Sequence, residues 1–308
     1  MKEKEKQERV PLEATLKSMD TEETIDLWFY RPIGYRWALL FQKLGITPNV
    51  VTIASIFIGI AAGVLFYFDD LVYNVIGMFL LIWANSYDSA DGQLARMTGQ
   101  YSRLGRILDG LSGDLWFITI YISLCLRLMN SGWGLWALLG AVAGYSHIRQ
   151  AALADYYRNF HLFFVKGKSG SELDDSYQLE ANYKTMSWKK DFINKLVMFF
   201  YIGYTRNQER FTSCMQRLRK IIRSKYGEEV PALFREAFRV QSKPLMKYTN
   251  MLSFNTRVIA LFISLFINEV WLYFVFELSV LNIMLIYMRN RHEKICRNFV
   301  EEISEKGI

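Results

Sequence analysis

Three cysteines, Cys125, Cys214 and Cys296, are all that this chain of 308 residues contains. Their odd number and unrelated spacing exclude a disulfide framework and a zinc pattern, and a reduced cytoplasmic face is the plain reading. Histidine is as scarce, and His147, His161 and His292 do not cluster. No internal repeat and no low-complexity tract appears. No segment resembles a cleavable signal peptide, because the first 47 residues are charged and amphipathic rather than a short apolar core. No basic-aromatic groove pattern accompanies the net charge of +7, so nucleic acid is excluded as a partner; the charge suits a membrane rich in anionic lipid.

What is present is apolar surface in blocks. The chain is 52% hydrophobic yet 22% charged, and a soluble domain would scatter those apolar residues. Here Val50–Phe68 is an uncharged run, and Leu71–Tyr87 is another that ends directly at Asp88. Leu128–Ser146 and Val270–Met288 follow, the latter interrupted only by Glu277. Hydrocarbon about 30 Å thick needs roughly 20 helical residues, so each run is long enough to cross. Leu104–Arg127 and Phe254–Asn268 are weaker segments whose ends a bundle must shelter. The expectation is an all-α polytopic membrane protein of six transmembrane helices.

Basic residues set the orientation. The Lys-rich N-terminus, Arg96/Arg103/Arg106, the segment after Asp155 and Arg289/Arg291/Lys294/Arg297 lie on one set of connections. That set is read as cytoplasmic, with both termini inside. Residues 1–46 form an N-terminal cytoplasmic and interfacial segment, charged and frayed to about residue 22 and then an amphipathic helix over Thr24–Gly45. Thr47-Pro48 turns the chain, Asn49 caps the first span, and Gly59 with Gly63 forms a small face for helix packing. Residues 47–158 hold spans one to four, 251–292 spans five and six, and 293–308 a cytoplasmic tail. Residues 159–250 are a basic helical insertion in which Lys and Arg outnumber Asp and Glu 17 to 9. Leu196–Tyr204 is too short to cross, so two or more helices lie against the membrane, with Gln216–Lys225 facing headgroups. A solvated insertion without further role is the competing reading.

The chemistry sits at the end of span two. Asp88 and Asp91 are three residues apart on a helix, with Gly92 and Ala95 completing the face; Gly105 and Asp109, four apart, share a face of the next helix. A carboxylate in an apolar span costs a few kcal/mol or more unless it meets a cation or water. Two antiparallel helices joined over Met97–Leu104 therefore present three carboxylates to one cavity, as a cage for a hard divalent metal. Gly92, Ala95 and Gly105 are small enough for a bulky group to lie flat, and Arg96 and Arg106 reach carboxylates or phosphates. The set fits a metal-bridged pyrophosphate with a base resting on the glycines, and metal-assisted phosphoryl substitution is the chemistry that needs it.

The run Asp88-Ser-Ala-Asp91-Gly92-Gln-Leu-Ala95-Arg96, eight residues, then Gly105-Arg-Ile-Leu-Asp109 resembles the signature of the CDP-alcohol phosphotransferases. Pro48-Asn49-x-x-Thr52 and Arg31-Pro32 look like the same family's N-terminal half, and the resemblance covers roughly residues 25–157. It implies a six-span fold with a cytoplasm-facing cavity. There Asp88, Asp91 and Asp109 hold one or two ions, Mg²⁺ or Mn²⁺, against the CDP pyrophosphate. Gly92, Ala95, Arg96 and Gly105, with Asn49 and Thr52, contact the nucleotide. An alcohol attacks the phosphorus, CMP leaves, and dimers are usual. The fourth motif aspartate, metal ligand and general base, falls on Gly113. A π-bulge across Gly110–Gly113 would bring Asp114 into that role beside Asp109 as a catalytic residue; otherwise Asp114 caps or pairs with Arg106 or Arg103.

His147, Arg149, Arg257 and Arg291 are candidates for an anionic acceptor, against a reading as snorkelling cations. Glu277 is a functional candidate by its depth, or a hydrogen-bonding partner of Tyr273 or Ser279. The expected activity moves a substituted phosphate from CDP-diacylglycerol or a related lipid nucleotide to a polar alcohol, inositol or inositol phosphate among them. The alternative moves a headgroup from a CDP-headgroup to a lipid alcohol such as diacylglycerol or ceramide. Two remoter readings stay open: a cation transporter, which needs carboxylates spread across the bilayer, and a non-catalytic relative, suggested by Gly113.

Overall fold

The computed structural model describes residues 10–16, 18–167, 170–171, 173–227 and 230–306. Every regular element among them is a helix, as the apolar blocks predict. The chain forms two compact units: one takes in the chain up to Ser146 with Arg257–Leu278, the other His147–Thr256 with the chain from Ser279 onward.

The first unit is built on α1 (Arg31–Leu44), α2 (Pro48–Leu65), α3 (Leu71–Thr98) and α4 (Arg103–Asn130). Pro48 occupies the first turn of α2, where its missing N–H costs nothing. Asn49 is not the cap; Thr47 holds that position, and Asn49 instead accepts a bond from Ser102 Oγ at 3.1 Å. Asp70 caps α3 through Val72 N (2.8 Å) and Tyr73 N (3.3 Å), and Ser102 caps α4 through Gly105 N (2.8 Å). Both ends therefore carry the acceptors that orphan N–H groups require.

Close approach of α2 to α4 rests on missing side chains. A Cβ on Gly59 would stand 2.2 Å from the Trp116 ring, and one on Gly63 3.0 Å from Thr119. Trp116, 1% exposed, fills the space and donates Nε1 to Ser55 O at 3.1 Å. On its other side α2 leaves Val50, Ile53 and Phe57 exposed, an apolar face suited to lipid. At the far end of α4, Arg127 is 4% exposed and donates to Phe66 O, Asn74, Asp69 and Asn268, tying the α2–α3 turn to the connection between α11 (Phe254–Phe266) and α12 (Trp271–Phe276).

Among the described residues, four helical stretches are long and apolar enough to cross a bilayer: Pro48–Leu65, Leu108–Asn130, Ala232–Phe266 and Trp271–Glu305. Helix α3 and helix α5 (Gly134–Lys166), with 28 and 33 residues, are about 42 and 50 Å long at 1.5 Å per residue. They exceed the hydrocarbon in length, while their polar second halves dilute their apolar character. Among the described residues the protein is thus an all-helical membrane protein with four candidate spans by both length and composition, where six are predicted.

The N-terminal stretch is not frayed throughout. Thr15, Ser18 and Thr21 are buried, because Arg31 pairs with Glu22 at 2.9 Å, Tyr35 donates to Val10 O at 2.7 Å, and Arg96 donates to Thr15 O. A π-helical turn, Asp26–Tyr30, leads into α1, whose Ala38 and Phe41 pack with Val51, Ala90 and Leu94. Trp37 faces Tyr87 inside this group, so part of the aromatic face predicted for the membrane interface is spent on α3.

In the second unit α13 (Asn282–Lys306) packs with α8 (Ser213–Tyr226), α9 (Ala232–Ser242) and α10 (Met246–Met251), while α6 (Ser176–Thr185) packs on α7 (Phe192–Arg210), which touches α8. Met215, Leu218 and Ile222 of α8 are buried against α13. Glu293 accepts from Cys214 N at 2.7 Å and Met215 N at 3.4 Å, an anion at the positive end of α8. Phe164 stacks on Phe238 at 4.1 Å, and Phe238 meets Phe299 at 5.8 Å. Residues 159–250 therefore fold around a core of their own with the C-terminal helix.

The α2–α4 contact yields a direct expectation. Replacing Gly59 by Ala drives a methyl into the Trp116 ring and should lower stability by roughly 1–3 kcal/mol. A reduced melting temperature of the detergent-solubilised protein relative to wild type is the outcome to look for; an unchanged one would show that the helices separate freely.

Candidate functional site

Helix periodicity brings the acidic residues together as spacing requires. Asp88 and Asp91 stand one turn apart near the end of α3, and Asp109 lies in the second turn of α4. One carboxylate oxygen from each lies within 4.8 Å of the others. Asp91 is buried, Asp88 half-buried and Asp109 exposed, so the group opens toward the Asp109 side.

Two hydroxyls orient the buried pair. Thr52 Oγ1 donates to Asp91 Oδ2 at 2.5 Å, and Ser112 Oγ donates to Asp88 Oδ1 at 2.6 Å. Thr52 is among the residues predicted to contact the nucleotide; here it holds a carboxylate. Ser112 went unnoticed in the sequence, although it lies three residues after Asp109 on the same helical face. Carboxylates this close repel one another by about 3 kcal/mol per pair at an effective dielectric constant near 20. Three hard oxygen donors with their remaining lone pairs directed by hydroxyls match what Mg²⁺ or Mn²⁺ asks of a protein.

Cationic side chains border the group. Arg31 bonds Ser89 Oγ at 3.1 Å while held by Glu22, and Gln93 donates to Arg31 O at 3.2 Å. Burial first, then the like charge of Arg31, pulls the Arg96 guanidinium below its ordinary value, with Glu22, Tyr101 and Asp109 opposing. The Arg96 guanidinium folds back over Gly92, where a Cβ would meet it at 3.3 Å. The floor expected for a flat nucleotide base is thus covered by this side chain. Gly105 has a packing reason of its own: a Cβ there would stand 2.5 Å from Asn49 Oδ1. Ala95 is half-buried on the Asp91 side of α3. The side chain of Arg106, expected beside Arg96, lies outside those described.

The predicted π-bulge is not formed. Helix α4 is regular from Arg103 to Asn130. Its inward face runs through Ser112, Trp116 and Ile120, all 1% exposed or less. Ser112 must reach Asp88 and Trp116 must reach Ser55 from that one stripe, and a one-residue register shift between Asp109 and Trp116 would break it. Asp114 is consequently exposed, two residues past Ser112, and is not part of the three-carboxylate group. At Gly113 a Cβ would meet nothing within 4 Å, so the position of the fourth motif aspartate is open space.

The residues expected to hold an acceptor are divided between the two units. Arg257 belongs to the first unit, is 1% exposed, and pairs through one nitrogen with both Glu277 oxygens at 2.8 and 2.6 Å. That pairing is also what Glu277 does. His147, Arg149 and Arg291 belong to the second unit. His147 is buried and Arg291 exposed. Arg149 lies over the Phe211 ring at 4.1 Å, and Arg289 lies against the same ring at 5.8 Å while donating to Phe211 O.

Apolar helices of spanning length, with a hydroxyl-braced group of three carboxylates and arginines beside it, describe an integral membrane protein whose acidic group could hold a hard cation. Residues 45–159 match the family described as CDP-alcohol phosphatidyltransferase. An archaetidylinositol phosphate synthase of Pyrococcus horikoshii is 40% identical over 67 residues, 22% of this chain and 34% of that protein. The chain therefore spans about a third of that relative's length. No solved structure matches.

The two hydroxyl bonds carry an expectation. Ser112→Ala and Thr52→Val should each weaken Mn²⁺ binding about 10–100-fold, the usual effect of removing a group that orients a metal ligand. Titrating free Mn²⁺ by its electron paramagnetic resonance signal reads this without turnover.

Proposed function

We propose that the chain is a phospholipid-synthesising transferase that moves a substituted phosphate from a CDP-alcohol to a second alcohol and releases CMP. The observation that carries this reading is the convergence of Asp88, Asp91 and Asp109 on one point, within the domain that matches the family. The preferred donor is CDP-diacylglycerol or a related lipid nucleotide, and the preferred acceptor is inositol or inositol phosphate. The relative's name, an archaetidylinositol phosphate synthase, supports that class of acceptor. The active face is read as cytoplasmic with six crossings, α3 and α5 counted by their length.

Asp88, Asp91 and Asp109 would hold Mg²⁺ or Mn²⁺. When bound, such an ion neutralises charge on the donor's pyrophosphate and lowers the barrier to substitution at phosphorus. Thr52 and Ser112 keep two carboxylates aimed inward. Arg96 leaves its place over Gly92 to pair with a phosphate oxygen, and the cytidine takes the floor formed by Gly92 and Ala95. Asn49 and Gly105 fix the approach of α2 to the start of α4. The acceptor hydroxyl oxygen forms the new bond to phosphorus, the bond from phosphorus to the CMP oxygen breaks, and the hydroxyl proton passes to a carboxylate oxygen. With Asp114 off the inward face and Gly113 lacking a side chain, we assign that proton to Asp109, the exposed member of the group.

The decisive assay is CMP release by purified protein with Mg²⁺ or Mn²⁺, comparing CDP-diacylglycerol plus polar alcohols with CDP-headgroups plus lipid alcohols. Release only in the second set would reverse the substrate assignment, and metal-dependent CDP binding with no release in either would indicate a non-catalytic relative. Asp109→Asn should cost at least about 100-fold in kcat, the low end of a general base's contribution, whereas Asp114→Asn should stay near wild type. A collapse of Asp114→Asn turnover with melting temperature unchanged would return the base to Asp114.

We also propose that Arg149 meets an anionic group of the acceptor, on the strength of the two guanidinium groups gathered at Phe211. Arg149→Ala should raise the acceptor KM by about 10-fold or more, the worth of one charge-assisted hydrogen bond, and leave the donor KM unchanged. Equal changes in both would point to a structural cation.

A further inference from the structure

Helix α7 carries an apolar stripe that nothing among the described residues of its own unit covers. Phe192, Leu196, Phe199 and Phe200 are 57%, 39%, 57% and 66% exposed. Their spacing, i, i+4, i+7 and i+8, places them on one face, and exposed Gly203 continues it. The opposite side is already used: Met198 and Ile202 are buried with Leu179 of α6, and Tyr183 and Met186 pack against them. The stripe is therefore not a misplaced core face. It is about 17 Å long at 1.5 Å per residue, too short to cross hydrocarbon about 30 Å thick.

The charge around the stripe has one sign. Lys184, Lys189 and Lys190 are exposed before it, and Arg206 and Arg210 toward its end. The next helix adds exposed Arg217, Lys220, Arg223 and Lys225. No acidic residue is exposed among the described residues 173–227. The carboxylates of this region are half-buried and mostly partnered: Asp174 accepts from Tyr201, Glu209 from Ser176, and Glu180 and Asp175 pair with Arg206 and Arg223, which leaves the lysines and the remaining arginines as the positive excess of the rim in sequence count. Trp188, 47% exposed, and Tyr204, 36% exposed, sit near the two ends of the stripe as amphipathic aromatics do at a membrane boundary. The unit also presents apolar surface on α13, where Ile283 and Ile286 are exposed within the apolar stretch Trp271–Glu305, long enough to cross a bilayer.

We propose that α7 is an in-plane membrane anchor. It lies in the interface of an anionic leaflet, with Phe192, Leu196, Phe199 and Phe200 inserted at the acyl boundary and the flanking lysines and arginines on the headgroup phosphates. A lipid surface is the occupant that fits, since it supplies an apolar layer bordered by negative charge. A second copy of this chain would instead bring its own basic rim against this one. The inference uses only the membrane location of the chain and does not depend on the transferase reading.

The test uses the full chain in vesicles of phosphatidylglycerol and phosphatidylcholine, with Cys125→Ser, Cys214→Ser and Cys296→Ala as background. A nitroxide is attached at Phe200→Cys, at Leu196→Cys as a second position on the stripe, or at Lys190→Cys on its basic border. Collision with oxygen should exceed collision with a water-soluble nickel chelate at positions 200 and 196, and the order should reverse at 190. Nickel collisions dominating at 200 and 196 would overturn the proposal in favour of a solvated helix. An immobilised spectrum shielded from both would overturn it in favour of protein contact. CMP release by the same labelled proteins reports on the transferase reading separately.

Discussion

Like charges held close together in an apolar bundle shape the first unit more than any other interaction. Asp88, Asp91 and Asp109 repel one another and gain nothing from the hydrocarbon around them, so the helices must be forced together by contacts elsewhere. Gly59 and Gly63 let α2 meet α4 at backbone distance, with Trp116 filling the gap. Arg127 ties the far end of the same helices through four acceptors. Packing at one end and polar ties at the other thus hold the carboxylates together, an arrangement that a multivalent cation would relieve.

The same packing decides which acidic residue takes part. Ser112, Trp116 and Ile120 form one buried stripe on α4, and Asp109 is placed by that stripe. Asp114 is excluded by it, since a helix cannot turn Ser112 and a residue two positions later to one side. The empty space at Gly113 and the exposed edge at Asp109 follow together. The motif that the family resemblance gives four carboxylates has three in this group, and the proposed proton acceptor is the one that faces outward.

Much of this was legible in the residue pattern because helix geometry is local. Asp88-x-x-Asp91 and Gly105-x-x-x-Asp109 set their own faces without reference to the rest of the chain. The hydroxyl partners were harder to see. Thr52 is one of several hydroxyls on an apolar helix, and Ser112 sits in a glycine-rich stretch that looks weak by propensity. Arg257 and Glu277 illustrate the opposite error: each looks like a functional charge alone, and only their contact shows that one neutralises the other. The N-terminal stretch was misjudged for the same reason, its order depending on Glu22, Arg31 and Arg96 meeting across long sequence separations.

By itself the sequence determined the class of structure, the apolar runs, the acidic and glycine positions and the family pattern they make. Each of those depends on composition or on spacing within a single helix. Tertiary structure decided the regular course of α4 and with it the exclusion of Asp114. It also placed Arg96 over Gly92, paired Arg257 with Glu277 and left the aromatic face of α7 uncovered. Those outcomes turn on which helices touch and at what register, and burial against a distant neighbour is not written in any local window.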